Sequence, residues 1–167
     1  MKLFVWNNDF TAKIPALVSP VSHADLEATK NWQTQWTSKV ALKMPNKVAL
    51  HRSDDNELLG LMSYEIDEDG LAIEVIYLES AAHSNANLLH QFGTSKKYNG
   101  IAKALLAYAI SISIDLGFDG VIYFKAKTSR LRDYYISEFG AMPISSYDPF
   151  RLIIWEDAAQ ELVSEFL

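Results

Sequence analysis

The segment with the clearest chemical potential is a polar turn, Lys97-Tyr98-Asn99-Gly100-Ile101-Ala102, directly before the strongest helical pattern in the chain. The start of a helix leaves about four backbone N–H groups without an intrahelical partner and carries a partial positive charge, so an anion binds there readily. Gly100 lets the backbone approach a phosphate closely, and Lys97 adds a positive side chain. The spacing predicts a phosphate-binding turn, with an ordinary helix start as the alternative.

Other well-known binding patterns are missing from the sequence. It contains no G-x-x-x-x-G-K-[ST], and no G-x-G-x-x-G follows a predicted strand. There is no cysteine, which excludes disulfides, thiolate metal sites and cysteine nucleophiles, and no His, Asp or Glu spacing predicts a metal site. The net charge of −6 argues against sequence-independent duplex binding, although Lys96, Lys97, Arg130 and Arg132 could form a local basic patch.

Length and composition are those of one globular domain. The chain has 167 residues, of which 49% are hydrophobic and 22% charged. No apolar run is long enough for a membrane span, and the N-terminus MKLFVWNNDF does not read as a secretory signal. We therefore expect a single domain over residues 1–167, located in the cytoplasm.

The hydrophobic pattern predicts the elements that position the turn. The first strand covers residues 2–6, after which Pro15 and Pro20 punctuate a loop. Ser22-His23-Ala24-Asp25 has the form of a capping box, and a helix with Leu26, Trp32, Trp36 and Val40 on one face follows it. Further strands are expected at 47–52, 58–66, 71–78, 120–127, 142–145 and 150–155, and helices at 101–116, from Thr128 or Ser129 to Gly140, and at 157–166.

Residues 80–96 carry no clear periodicity and are expected to form a long polar loop, which in a compact domain is often functional. Short acidic turns between the strands at 47–78 favour antiparallel hairpins. The order of elements therefore predicts an α/β (α+β) fold: a mixed, mostly antiparallel sheet of about six to seven strands with helices on both faces. The last helix covers the core or, alternatively, forms a homodimer contact.

The turn and its surroundings resemble the GCN5-related N-acetyltransferase (GNAT) superfamily, and within it a small bacterial subgroup. The signature turn of that superfamily is [Q/R]-x-x-G-x-[G/A], which Lys97, Gly100 and Ala102 match with Lys in the first place. The segments GIAKALLAYAISISIDLGFDGVIYFKAKTS and YYISEFGA continue the resemblance, which spans roughly residues 47–145.

The resemblance implies an acetyl-CoA-dependent N-acetyltransferase, and the sequence itself indicates no metal. The strands at about 71–79 and 120–127, the fourth and fifth of the superfamily, would splay apart and admit the pantetheine arm. The arm would pair with the backbone around Ile76, Tyr77 and Leu78, up to Glu79. The pyrophosphate would rest on the N–H groups of Tyr98, Asn99, Gly100, Ile101, Ala102 and Lys103. Ser129 stands where the superfamily often has an Asn that touches pantetheine.

Acetyl transfer to an amine needs a base, a donor for the developing oxyanion and an acid for the leaving thiolate. The resemblance implies Tyr135 as the acid, with Tyr134 in reserve, because the pKa of a tyrosine, about 10, lies near that of a thiol. Glu79 is the expected base, directly or through a water, and Glu74 and His83 are the alternatives. Each of these residues also has a structural interpretation: a core aromatic, a paired carboxylate or a solvated loop histidine.

The acceptor is left open between a primary amine of a small molecule and one of a protein. Two further hypotheses share the fold. One is a non-catalytic domain that binds CoA for regulation, and the other is a toxin-like enzyme that acetylates aminoacyl-tRNA, against which the acidic balance counts.

Overall fold

The fold is taken from a computed structural model that describes residues 1–92 and 95–167, without the side chains at positions 91 and 92. The strands are β1 (Phe4–Asn7), β2 (Lys13–Pro20), β3 (Lys47–Arg52), β4 (Leu58–Asp67), β5 (Ala72–Ser80), β6 (Tyr98–Asn99), β7 (Ile122–Lys125), β8 (Met142–Pro143) and β9 (Arg151–Ile154). The helices are α1 (His23–Glu27), α2 (Lys39–Leu42), α3 (Ala86–Phe92), α4 (Ile101–Asp115), α5 (Ser129–Phe139) and α6 (Glu156–Ser164). Among the described residues, no helix has the length and apolar character needed to cross a membrane.

The strands form one mixed sheet in the order β6-β1-β2-β3-β4-β5-β7-β9-β8. The pairing of β5 with β7 is parallel, while β1 with β2, β2 with β3, β3 with β4 and β7 with β9 are antiparallel. The predicted α+β class is confirmed. The nine strands exceed the predicted six to seven because β2 and β6 lie where loops were expected.

The chain divides into two compact units. Unit 1 comprises Met1–Ser63 and Tyr77–Leu105, and unit 2 comprises Tyr64–Ile76 and Leu106–Leu167. The elements β4, β5 and α4 contribute residues to both units. A single domain over residues 1–167 stays a prediction.

Strand β2 corrects the expectation that Pro15 and Pro20 mark a loop. Ile14, Ala16 and Val18 are buried or half-buried and alternate with exposed neighbours, which is the period of a strand. Pro15 lies opposite Phe4 on β1, and the ladder with β3 begins one residue later, at Ala16. Proline has no N–H to donate, but Pro15 stands just outside the residues of β2 that pair with β3. The strand therefore tolerates the proline.

The single helix predicted after the capping box is wrong, because the chain forms the two short helices α1 and α2 with turns between them. The capping box itself is present: Asp25 N donates to Ser22 Oγ, and Ser22 N donates to Asp25 Oδ2. The intervening residues turn away because the N–H groups of Gln33 and Thr34 donate to the side chain of Glu79. A helix would have required those N–H groups for its own backbone bonds.

A buried contact between a histidine and a carboxylate joins α1 to β3. His51 Nε2 lies 2.7 Å from Asp25 Oδ1, and both side chains are about 10% exposed or less. Burial alone would raise the pKa of Asp25, but hydrogen bonds from Ser22 and His51 bring it below the usual range of a carboxyl. The charged carboxylate therefore stabilises the start of α1.

The turns between α1 and α2 contribute two tryptophans to the core of unit 1. Trp32 and Trp36 are buried there together with three smaller residues, Ala49, Leu61 and Ala81. The half-buried residues packed against them are Val21, Leu26, Met44, Leu58, Tyr77 and Ala82. This core supports the end of β5 and the segment that follows it.

The stretch at 80–96 was expected to be a loop, but it contains a 3₁₀ turn (Ala82–Ser84) and helix α3. Asn85 begins that helix: its Oδ1 accepts from Asn87 N and its carbonyl accepts from Leu89 N. Gly93 and Thr94, which belong to the same predicted loop, lie outside the described residues.

In unit 2, Ile73–Val75 of β5 pair with Ile122–Phe124 of β7, and β7 pairs on its other side with β9. Helix α5 begins at the cap Thr128 and ends at Gly140, which adopts φ +67°. Helix α6 buries an apolar stripe, consisting of Ala159, Leu162 and Val163, and Phe166 follows it. The last helix therefore covers the core.

Candidate functional site

The predicted phosphate turn joins β6 to α4. Its first part is fixed to β1, since Tyr98 and Asn99 pair with Asn7 and Trp6, and Asn99 Nδ2 donates to the carbonyl of Asn7 over 3.0 Å. Gly100 then reverses the chain with φ +87°, a conformation that L-residues rarely adopt. The turn is therefore held in one shape before the helix begins.

The hydrogen bonds of the turn define which N–H groups could meet an anion. The first hydrogen bond within α4 runs from Ala104 N to Gly100 O, over 3.0 Å. The N–H groups of Ile101, Ala102 and Lys103 come before it in the chain and are therefore the first N–H groups of the helix. The N–H of Tyr98 instead donates to Ser84 Oγ at 3.0 Å. The N–H groups of residues 98–103 were expected to bind the pyrophosphate. That of Tyr98 already has an acceptor, so the candidates are the N–H groups that follow it.

Gly60 on β4 allows the first turn of α4 to pack closely. A Cβ at this position would lie 2.8 Å from Ile101 Cγ2 and 3.0 Å from the carbonyl of Glu79. Ile101 is 3% exposed, so its side chain is buried and anchors the start of the helix. The close approach of strand and helix thus depends on a glycine.

The side chain of Lys97 binds a carboxylate. Its Nζ lies 2.7 Å from Glu57 Oε2 and 5.4 Å from the centre of the Tyr98 ring. The Tyr98 hydroxyl, on a side chain that is 3% exposed, donates to Glu57 Oε1 and accepts from Arg52 Nη1 at 2.8 Å. Burial alone would raise the pKa of Glu57, but Lys97 and Tyr98 together lower it. Glu57 is therefore held as a carboxylate.

His83 adjoins the same cluster. Its ring packs edge-on against Tyr98 with 5.5 Å between ring centres, Nδ1 lies 2.7 Å from Ser84 Oγ, and Nε2 lies 3.9 Å from Glu57 Oε2. Burial lowers the pKa of His83 and outweighs the opposing effect of the Glu57 carboxylate. The imidazole is therefore neutral near pH 7.

Glu57 and His83 line a cavity of about 290 Å³ within unit 1. Its apolar wall consists of Trp32, Leu58, Ala81 and Ala82. Asn31 is a further polar residue on the lining. Apolar walls with a few polar groups are typical of small-molecule sites, and this volume lies at the lower end of their range of about 300–1,000 Å³.

Glu79, the expected base, is 4% exposed and accepts three hydrogen bonds. Oε2 accepts from Gln33 N at 2.7 Å, and Oε1 accepts from Thr34 N and from Trp36 Nε1, both at 3.0 Å. Both oxygens are thus engaged in holding the segment that follows Trp32.

Tyr135, the expected acid, lies on α5 in unit 2 among aromatic rings. The ring centres of Phe124, Phe139 and Tyr134 lie 4.9, 5.8 and 5.9 Å from its own. Burial, with a smaller contribution from Tyr134, raises the pKa of Tyr135 to about 12. Its hydroxyl is therefore protonated at neutral pH.

Two other candidate residues belong to unit 2. The Tyr123 hydroxyl donates to Asp67 Oδ2 at 2.8 Å and lies 3.3 Å from Glu74 Oε2, so Glu74 has a polar partner. Ser129 is exposed at the first position of α5, whereas the neighbouring Thr128 caps the helix by accepting from Leu131 N. In the described part of the chain, no three His, Cys, Asp or Glu side chains are grouped so as to hold a metal ion.

Neither a protein-family model nor a curated protein matches the sequence, but solved structures do. An acetyltransferase of the GNAT family from Listeria monocytogenes aligns with TM-score 0.55 and 11% identity over 84% of this chain and 94% of that one. The ribosomal-protein-S18-alanine N-acetyltransferase from Escherichia coli aligns with TM-score 0.52 and 13% identity over 84% and 95%. A mutant toxin AtaT, bound to the C-terminus of the antitoxin AtaR and acetyl-CoA, aligns with TM-score 0.52 and 11% identity over 89% and 98%. The chain has the GNAT fold.

Within this GNAT fold, unit 1 brings some candidate residues together. Lys97, Tyr98 and His83 meet around Glu57, and Glu79 holds the residues that directly follow Trp32, which lines the adjoining cavity. The sequence did not predict Glu57 as a site residue. Glu57 lies forty positions before Lys97 and directly after an acidic turn, which has the pattern of a solvent-exposed connection. His90, a second histidine within the stretch 80–96, is exposed on α3.

Proposed function

We propose that this chain is an acetyl-CoA-dependent N-acetyltransferase acting on a primary amine. The observation that carries the proposal is the positive-φ turn at Gly100, which directly precedes a long helix in a chain with the GNAT fold. The N–H groups after Tyr98, from Asn99 to Lys103, would bind the pyrophosphate, and the glycine leaves room for it. Lys97 would reach the same anion by leaving Glu57.

The pantetheine arm would use the part of β5 that extends beyond its pairing with β7. This strand continues to Ser80, past Val75, the last residue that pairs with β7. We propose that the backbone of Ile76, Tyr77 and Leu78 pairs with the arm in the manner of an added strand. Ser129 would donate a hydrogen bond to it from the start of α5.

For the chemistry, we propose Tyr135 as the acid that protonates the leaving thiolate. Its raised pKa of about 12 keeps the hydroxyl protonated at neutral pH, as a proton donor requires. The base stays a proposal among Glu79, Glu74, His83 and a water. The three hydrogen bonds to Glu79 support a positioning role for that residue.

Millimolar acetyl-CoA is expected to raise the melting temperature of the protein. A ligand at about 100 times its Kd stabilises the native state by about 2.7 kcal/mol, which corresponds to roughly 5–11 °C for a chain of this size. The measurement is a thermal melt with acetyl-CoA, with free CoA and, as a control for general anion binding, with ATP. Unchanged melting with both CoA forms, or an equal rise with ATP, would contradict the proposal.

Replacing Tyr135 with Phe should lower kcat by about 10²-fold or more while leaving acetyl-CoA stabilisation intact, because only the transferable proton is lost. The matched control is Tyr134→Phe, which removes the hydroxyl of the neighbouring half-exposed tyrosine. Thiol release from CoA, measured over a range of amines, provides kcat and KM. A Tyr135→Phe enzyme with unchanged kcat would remove this residue from the mechanism.

The engagement of both Glu79 oxygens favours one alternative, a non-catalytic domain that binds CoA. That domain would melt at a higher temperature with acetyl-CoA but release no thiol with any amine. The tRNA-acetylating alternative has less support, because Lys97 and Arg132 of the proposed basic patch are paired with Glu57 and Asp133.

A further inference from the structure

We infer that the cavity lined by Trp32, Glu57 and His83 is the acceptor site, and that it takes a primary amine with one positive charge on a short apolar or aromatic stem. The transfer step rests on the proposed function, whereas the binding of the amine does not. All residues of the cavity belong to unit 1.

Glu57 provides the cation-binding group. Its side chain is 24% exposed and lies on the cavity wall, where a carboxylate interacts with a cation more strongly than in water. The structure already shows the contact that a substrate would make, because Lys97 Nζ is itself a primary ammonium and lies 2.7 Å from Glu57 Oε2. A substrate ammonium would take the place of that group.

The other residues that line the cavity determine the size and polarity of the group attached to the amine. Trp32 is 8% exposed, and Leu58, Ala81 and Ala82 complete an apolar wall suited to an aliphatic or aromatic group. Glu57 is the one carboxylate among the described residues that line the cavity. A second cation on the same ligand would therefore lack a counter-charge, which favours a monoamine over a polyamine.

His83 is the proton acceptor of this site. When Nδ1 donates its hydrogen to Ser84 Oγ, the lone pair of Nε2 faces Glu57, 3.9 Å away, where the ammonium would lie. The charged groups that face the imidazole are Glu57 and Lys97, and the Leu58 carbonyl is its other polar neighbour. Burial outweighs them and keeps the ring neutral, as a base requires.

The transfer then balances as follows. The ammonium gives one proton to His83 Nε2, and its nitrogen lone pair forms the C–N bond to the acetyl carbonyl carbon. The C–S bond breaks with its electron pair on sulfur, and the second nitrogen proton ends on the thiolate. His83 releases its proton to water, so that the products are an acetamide, a thiol and one proton.

The test measures binding of 2-phenylethylamine to the full chain by calorimetry in the absence of any cofactor. Wild type should bind the amine, and should bind the neutral 2-phenylethanol and the polycation spermidine at least about tenfold more weakly. Glu57→Gln should weaken amine binding by about tenfold or more. Lys97→Met should tighten it, because the competing ammonium is gone. The matched control Glu65→Gln, an exposed carboxylate of β4, should leave it unchanged.

A second variant keeps the test decisive if Glu57→Gln fails to fold. Ala82→Leu fills the cavity without changing a charge and should abolish binding of the amine. The inference is overturned if wild type binds no amine at millimolar concentration, if the alcohol binds equally well, or if Ala82→Leu binds like wild type. Amine binding that depends on Glu57, without acetylation when acetyl-CoA is added, would uphold the site and contradict the proposed function.

Discussion

Replacing Glu79 with Ala is expected to lower the free energy of unfolding by about 3–5 kcal/mol, since hydrogen bonds to a charged group are worth roughly 1.5–3 kcal/mol each and are not additive. The substitution leaves the buried indole N–H of Trp36 and the N–H groups of Gln33 and Thr34 without their acceptor. For a chain of this length the melting temperature should fall by roughly 6–20 °C.

Two further variants separate this effect from the loss of a negative charge. Glu65→Ala, at an exposed position on β4, should change the free energy of unfolding by less than about 0.5 kcal/mol. Glu79→Gln keeps one acceptor oxygen but directs an NH₂ group at a backbone donor, so its effect should lie between those of the other two. Chemical denaturation provides the free energies. Equal stability of Glu79→Ala and Glu65→Ala would show that the three hydrogen bonds do not hold the segment.

The same variants distinguish positioning from proton transfer. Glu79 holds the two residues that follow Trp32, and Trp32 and Asn31 line the cavity assigned to the acceptor. A positioning residue should therefore raise the KM for the amine when it is replaced with Gln, with a smaller effect on kcat. A general base would instead lower kcat by about 10²–10⁴-fold at unchanged KM.

Local signals in the sequence predicted the elements around the site well. The capping box at Ser22, the cap at Thr128 and the stop at Gly140 each depend on residues within one helical turn, and each is present. The fold class followed from the order of such elements. Interactions of this kind can be read from sequence because both partners lie within a few positions of one another.

The features that the sequence did not predict correctly have a different cause in common. Trp32 and Trp36 have a helical spacing, yet Glu79, more than forty positions away, takes the N–H groups that a helix would need. Pro15 suggested a loop, and only the position where β3 stops pairing explains why a strand accepts it. Glu57 could not be recognised because its partner Lys97 comes into reach only in the folded chain. Tertiary contacts that override local pattern were the missing information.

Replacing Gly100 with Val should abolish the rise in melting temperature that acetyl-CoA is expected to produce. At φ +87° a β-branched residue is strongly disfavoured, so the backbone must rotate and its N–H groups would no longer converge on the pyrophosphate. The added side chain would also enter the space beside Trp6, whose Cδ1 lies 3.8 Å from the first added carbon.

Gly117 provides the matched control for this substitution. It has a similar φ of +81°, stands after α4 rather than before it, and has no atom within 4 Å of an added Cβ. Gly100→Val and Gly117→Val should therefore each lose about 1–3 kcal/mol of stability from backbone strain. Only the first should lose the acetyl-CoA-dependent rise in a thermal melt. If both variants keep it, the pyrophosphate binds elsewhere, and if both lose it, the effect comes from strain rather than from the turn.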